Sequence, residues 1–117
     1  MKKLLAVDDA PDILEVMQLI LEQEGYQVQT SPNGACFHEM KSDLPDLILL
    51  DVLLAGEDGR EICKQLKSNE QTNHIPVILI SAHANLNNVR ETCGADDYLA
   101  KPFRLTELID KVQKHLF

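Results

Sequence analysis

Four short apolar runs, Leu4–Val7, Leu47–Leu50, Val77–Ile80 and the weaker Tyr98–Ala100, contain no polar alternation. A strand with one wet face alternates apolar and polar residues, so these runs predict strands covered on both faces, as in a parallel sheet. A fifth segment, Tyr26-Gln27-Val28-Gln29-Thr30, does alternate and suits an edge strand. Helical periodicity fills the intervals. Ile13, Met17, Ile20 and Leu21 form one stripe, Ile62, Cys63 and Leu66 a second, and Leu105, Leu108, Ile109, Val112 and Leu116 a third. Pro11 suits the first turn of a helix, Gly25 and Gly94 suit helix ends, and Asn33-Gly34 signals a turn. Pro45 and Pro76 precede strands. The pattern reads β-α five times over. Parallel neighbours need long right-handed crossovers, so the predicted class is α/β: a (βα)5 chain with one parallel five-stranded sheet between helical layers. No linker interrupts residues 1–117, which are expected to form one domain.

Eleven basic side chains face 19 acidic ones, a net charge of −8. Such a surface repels nucleic acid and anionic lipid unless a basic patch intervenes, and Lys111, Lys114 and His115 are too few to make one. The basic-then-apolar start stops at Asp8-Asp9, short of a signal core, and no run approaches ~18 apolar residues. A soluble, cytoplasmic protein is expected, with neither membrane nor nucleic acid as a direct partner. Cys36, Cys63 and Cys93 are odd in number and lack Cys-x-x-Cys spacing, so they predict packing residues, not a disulfide framework or zinc site. Of the four histidines, three are expected to face solvent, and His83 to lie at the mouth of a site beside Ser81.

In an open parallel α/β sheet, ligands bind beyond the carboxyl ends of the strands. There the sequence carries Asp8 and Asp9 after the first strand, Asp51 after the third, Ser81 after the fourth and Lys101-Pro102 after the fifth. Three carboxylates crowded together raise one another's pKa unless a cation joins them, and Mg²⁺, which keeps several waters, tolerates such an incomplete cage. A carboxylate beside a metal, an ammonium and a hydroxyl is equipped to attack phosphorus, because these groups neutralise and hydrogen-bond the oxygens of a transferring phosphoryl group. Taken singly, Asp9 could cap the first helix, Asp8 could favour its positive end, Lys101 could be a surface charge and Tyr98 a packed aromatic. Joint placement at successive strand ends favours the chemical reading.

Leu4-Leu5-Ala6-Val7-Asp8-Asp9, Leu47-Ile48-Leu49-Leu50-Asp51, Ile80-Ser81-Ala82 and Gly94-Ala95-Asp96-Asp97-Tyr98-Leu99-Ala100-Lys101-Pro102-Phe103 resemble the four motif blocks of the response-regulator receiver family, and Gly56 and Asp58-Gly59 match its loop after the phosphorylated aspartate. The resemblance spans the chain. It implies a flavodoxin-like three-layer αβα sandwich with strand order 2-1-3-4-5, and a phosphoacceptor switch in a two-component phosphorelay. Asp51 would then be the phosphoacceptor, and Asp8, Asp9, Asp51 and the backbone carbonyl of Leu53 would hold Mg²⁺. Lys101 would pair with the phosphoryl group, ahead of a cis bond to Pro102. Ser81 and Tyr98 would form the switch, and Leu53 and His83 would tune the lifetime of the phosphorylated state. The implied partners are a sensor histidine kinase or histidine phosphotransfer protein and a downstream protein target or output domain. Such a domain catalyses its own phosphorylation and helps its own hydrolysis but turns over no external substrate.

Ala55 stands where the family usually has proline, and the 13 positions from Ser81 to Gly94 are fewer than usual, so the fourth helix or its leading loop around Asn85–Asn88 is expected to lose about half a turn. A haloacid-dehalogenase-like phosphohydrolase would need an aspartate at Leu53 and a cap insertion; a flavodoxin-like electron carrier would need a hydroxyl- and glycine-rich loop in place of Asp8-Asp9-Ala10-Pro11. An interaction-only pseudo-receiver normally loses a pocket residue, whereas all five are present. The last amphipathic stripe runs close to Phe117, which leaves two readings: a stand-alone receiver, or a part of a longer regulator.

Overall fold

Each apolar run becomes a strand. In the computed structural model, which describes residues 2–38, 43–54, 56–82 and 93–116, the strands are β1 (Lys3–Val7), β2 (Gln27–Ser31), β3 (Leu47–Asp51), β4 (Val77–Ser81) and β5 (Asp97–Ala100). They pair in parallel in the order β2-β1-β3-β4-β5, so the polar residues at their carboxyl ends share one rim. The helices that lie wholly within the described residues are α1 (Pro11–Gln23), α2 (Gly59–Ser68) and α3 (Leu105–Leu116), with a short 3-10 helix at Gly34–His38 after β2. The expected shortening of the fourth helix falls on residues 83–92, and this segment, with His83 and Ala55, lies outside the described residues.

Strand side chains alternate faces, which makes two cores from one sheet. Leu4, Ala6, Leu47, Leu49, Ile78, Ile80 and Leu99 face α1 and α3, where Leu14, Met17, Leu21, Leu108 and Val112 meet them. Leu5, Val7, Ile48, Leu50, Val77 and Leu79 face the other way, toward Cys63 and Leu66 of α2. With both faces covered, the absence of alternation in the sequence is accounted for. Each fully buried Leu or Ile contributes about 1.5–3 kcal/mol relative to exposure. The predicted stripe of α1 is rotated slightly: Leu14, Met17 and Leu21 are buried, while Ile13 and Ile20 pack at its margin.

Gly25 closes α1 with φ of 94°, a left-handed conformation that costs glycine little. The chain after β3 makes a two-residue antiparallel pair, Leu53–Leu54 with Glu57–Asp58, absent from the sequence reading. Asp58 then caps α2 by accepting the Arg60 N–H at 2.9 Å. Cys63 and Cys93 are buried and Cys36 is half-buried, in keeping with a packing role. Among the described residues, no helix is long and apolar enough to cross a membrane.

Candidate functional site

The rim assembles from the strand ends. Asp8 follows β1 and is fully buried, while Asp9 beside it is exposed. Asp8 Oδ1 accepts the Ala10 N–H at 2.9 Å, and the cap residue of α1 is Ala10, with no side-chain cap bond. Asp9 therefore does not cap the helix. Asp51 ends β3 with 5% of its surface exposed, and its Oδ1 accepts the Leu53 N–H at 3.4 Å. Oxygen atoms of Asp8, Asp9 and Asp51 lie within 4.8 Å of one another.

Lys101, after β5, closes the group. Its Nζ lies 2.8 Å from Asp8 Oδ2 and 3.5 Å from Asp51 Oδ2. The Lys101–Pro102 peptide is cis. The Lys101 N–H donates to the Ser81 carbonyl at 2.8 Å, tying the end of β4 to the same corner, where Ser81 is buried. Burial, and then the Asp8 charge, push the Asp51 carboxyl above the usual aspartate value, against the pull of Lys101 and the Leu53 N–H. Burial disfavours the Lys101 ammonium, but the hydrogen bond and charge of Asp8, joined by Asp51, outweigh it and raise its pKa. One ammonium thus serves two buried carboxylates. That deficit of positive charge is what a hard divalent cation fits.

Leu53 stands on this rim with its side chain 54% exposed. Tyr98 is half-buried on β5, packed toward the α2 face. Gly59 abuts the Asp51 backbone: a Cβ there would stand 2.2 Å from the Asp51 carbonyl oxygen. The structure thus brings Asp8, Asp9, Asp51, Ser81, Lys101 and Leu53 to one end of the sheet, with Tyr98 farther back on β5.

Comparison with known proteins agrees with this geometry. The family model of the response regulator receiver domain matches residues 4–113. The chain belongs to the response-regulator receiver family. This receiver is 38% identical over 115 residues to the phosphate regulon transcriptional regulatory protein PhoB of Pseudomonas aeruginosa, covering 96% of the chain and 50% of PhoB. It is 36% identical to the DNA-binding dual master transcriptional regulator RpaA of Synechocystis, covering 97% of the chain and 48% of RpaA. The receiver therefore spans about half the length of these curated relatives. Among solved structures, the response regulator TrrA of Thermotoga maritima, in complex with Mg²⁺ and BeF, superposes with a TM-score of 0.87 at 32% identity, covering 99% of this chain and 100% of that one. The flavodoxin-like fold and its strand order are shown by these likenesses and by the sheet itself.

One polar cluster of the receiver was missed in the sequence. Asp97 on β5 meets Lys111 Nζ at 3.0 Å, His115 Nε2 at 2.9 Å and Lys114 Nζ at 3.8 Å, all from α3. His115, expected to face solvent, is instead largely covered, because its ring packs against this carboxylate. The spacing of positions 111, 114 and 115 places them on one helical face and was the available signal. Burial disfavours ionised Asp97, but bonds to His115, Lys111 and the Tyr98 N–H outweigh it and hold the carboxyl at about 2 against an ordinary 3.8. A depressed folded-state value favours the native fold fully above about pH 4, and that contribution disappears as pH falls through about 2. Asp97→Asn should therefore cost about 1 kcal/mol at pH 7, discounted for partial solvation, and the gap should close toward pH 2. Paired thermal melts across that range measure it.

Proposed function

We propose that this receiver accepts a phosphoryl group on Asp51 from a phosphohistidine of a sensor histidine kinase or histidine phosphotransfer protein. The supporting observation is the buried Asp8–Lys101–Asp51 contact, with the exposed Asp9 completing the carboxylate group. Asp8, Asp9, Asp51 and the Leu53 carbonyl would hold Mg²⁺, which when bound neutralises charge on the phosphoryl oxygens. Asp51 Oδ attacks phosphorus, the P–N bond breaks, and the imidazole leaves with the bonding pair and takes up a proton. Lys101 exchanges its carboxylate contact for a phosphoryl oxygen. Ser81 donates a hydrogen bond to another, and the Tyr98 ring follows it inward.

The added charge, roughly 1.5 to 2 negative units, shifts a balance between two conformers and not a metabolite pool. The domain acts on itself and passes its state to a downstream target or output domain in the cytoplasm. Leu53, with His83, would set the access of water to the phosphorylated aspartate, and hence its lifetime.

The test is to incubate the protein with Mg²⁺ and acetyl phosphate and to weigh it intact. One phosphoryl group should be gained, and none after EDTA treatment or in Asp51→Asn. Decay of the labelled species after donor removal reports the lifetime in wild type and in Leu53→Asn. A label that persists in Asp51→Asn would place the chemistry elsewhere.

A further inference from the structure

Consecutive residues of a strand point to opposite faces of the sheet. On β5, Tyr98 packs toward the α2 face while its neighbour Leu99 packs toward α1 and α3. Asp97, on the other side of Tyr98 in sequence, meets α3. Yet one side chain touches both Asp97 and Tyr98. Lys111 Nζ, from α3, lies 3.0 Å from Asp97 Oδ1 and 5.5 Å from the centroid of the Tyr98 ring. This is possible because β5 is the terminal strand of the sheet, so a long side chain can pass round its edge.

We propose that Lys111 is a positioning residue for Tyr98: anchored by Asp97, its ammonium holds the ring at the sheet edge in the resting conformer. The inference rests on the reading of Tyr98 as a switch ring and deepens it. An ammonium over an aromatic face is attracted by the ring quadrupole, and the attraction is lost when the ring turns inward. Lys111 therefore opposes the active conformer. Its stem is only partly exposed and its charge is held by a carboxylate that is 11% exposed, so the cation does not drift freely in solvent. Removing the charge should raise the resting population of the inward ring, and with it the rate of phosphorylation by acetyl phosphate, about two- to five-fold.

Lys111→Met keeps the stem and removes the charge; Lys111→Arg keeps a cation. The protein has two tyrosines, and Tyr26 is buried on the opposite face, where it serves as an internal reference for ring NMR signals. In the wild type, the Tyr98 signal should move when Mg²⁺ and beryllofluoride are added. The unloaded Lys111→Met signal should lie between those two positions with a faster rate, and Lys111→Arg should return both to wild type. A wild-type signal and rate in Lys111→Met, alongside a wild-type shift on loading, would overturn the role of Lys111 and leave the switch intact. A wild-type Tyr98 signal that ignores loading would overturn the switch reading and this inference with it.

Discussion

Lys101→Met is expected to slow phosphorylation of Asp51 by acetyl phosphate about 100- to 1000-fold, while Mg²⁺ binds more tightly. The two effects have one cause. The Lys101 ammonium is 2.8 Å from Asp8 and 3.5 Å from Asp51, and both carboxylates are almost wholly shielded from water. Without it the two negative charges face each other uncompensated, which favours any added cation. The phosphoryl group meanwhile loses the only side-chain cation within reach of Asp51 among the described residues. Rates at saturating Mg²⁺ separate the two consequences, and a Mg²⁺ titration followed by tyrosine fluorescence measures the second. An unchanged rate at saturating metal would show that Lys101 takes no part in transfer.

Gly59→Ala should destabilise the protein by about 3 kcal/mol. The new Cβ would lie 2.2 Å from the Asp51 carbonyl oxygen and 2.9 Å from Val52 Cα, and backbone atoms cannot rotate away as a side chain can. Relief requires α2 to withdraw from the end of β3, which breaks the 2.7 Å bond from the Gly59 N–H to the Val52 carbonyl. Urea denaturation measures the loss. Gly56→Ala is the control: its Cβ would meet nothing within 4 Å, and the cost reduces to a positive φ of 75°, about 1 kcal/mol. Equal losses in the two variants would contradict the collision argument.

β1, β3 and β4 were legible because each is covered on both sides and so carries a run of apolar residues with no polar interruption, and β2, at the sheet edge, was legible by its alternation. Their carboxyl ends then named the rim, and Asp8, Asp9, Asp51, Ser81 and Lys101 are there. Length limited the rest. The pairing of Leu53–Leu54 with Glu57–Asp58 is two residues long, too short for any periodicity to register. The Asp97 cluster escaped for a different reason. Lys111, Lys114 and His115 were weighed as a patch for a polyanion, when their actual partner is a single carboxylate brought over by β5. Charge counts describe surfaces, and this contact is made in the interior margin between a strand and a helix. Capping of α1 by Asp9 was weighed and set aside in favour of the rim, and the observed cap residue is Ala10.

The ladder registers of β3 set more than stability. Leu4 is opposite Leu47, Ile48 opposite Val77, and Asp51 opposite Ile80. A slip of β3 by one residue against its neighbours would deliver Leu50 to the place of Asp51 and turn Leu47, Ile48, Leu49 and Leu50 each to the opposite face. A chain so slipped would keep its composition and lose Asp51, the proposed phosphoacceptor, from the rim, so hydrophobic matching across the sheet holds that carboxylate in its place.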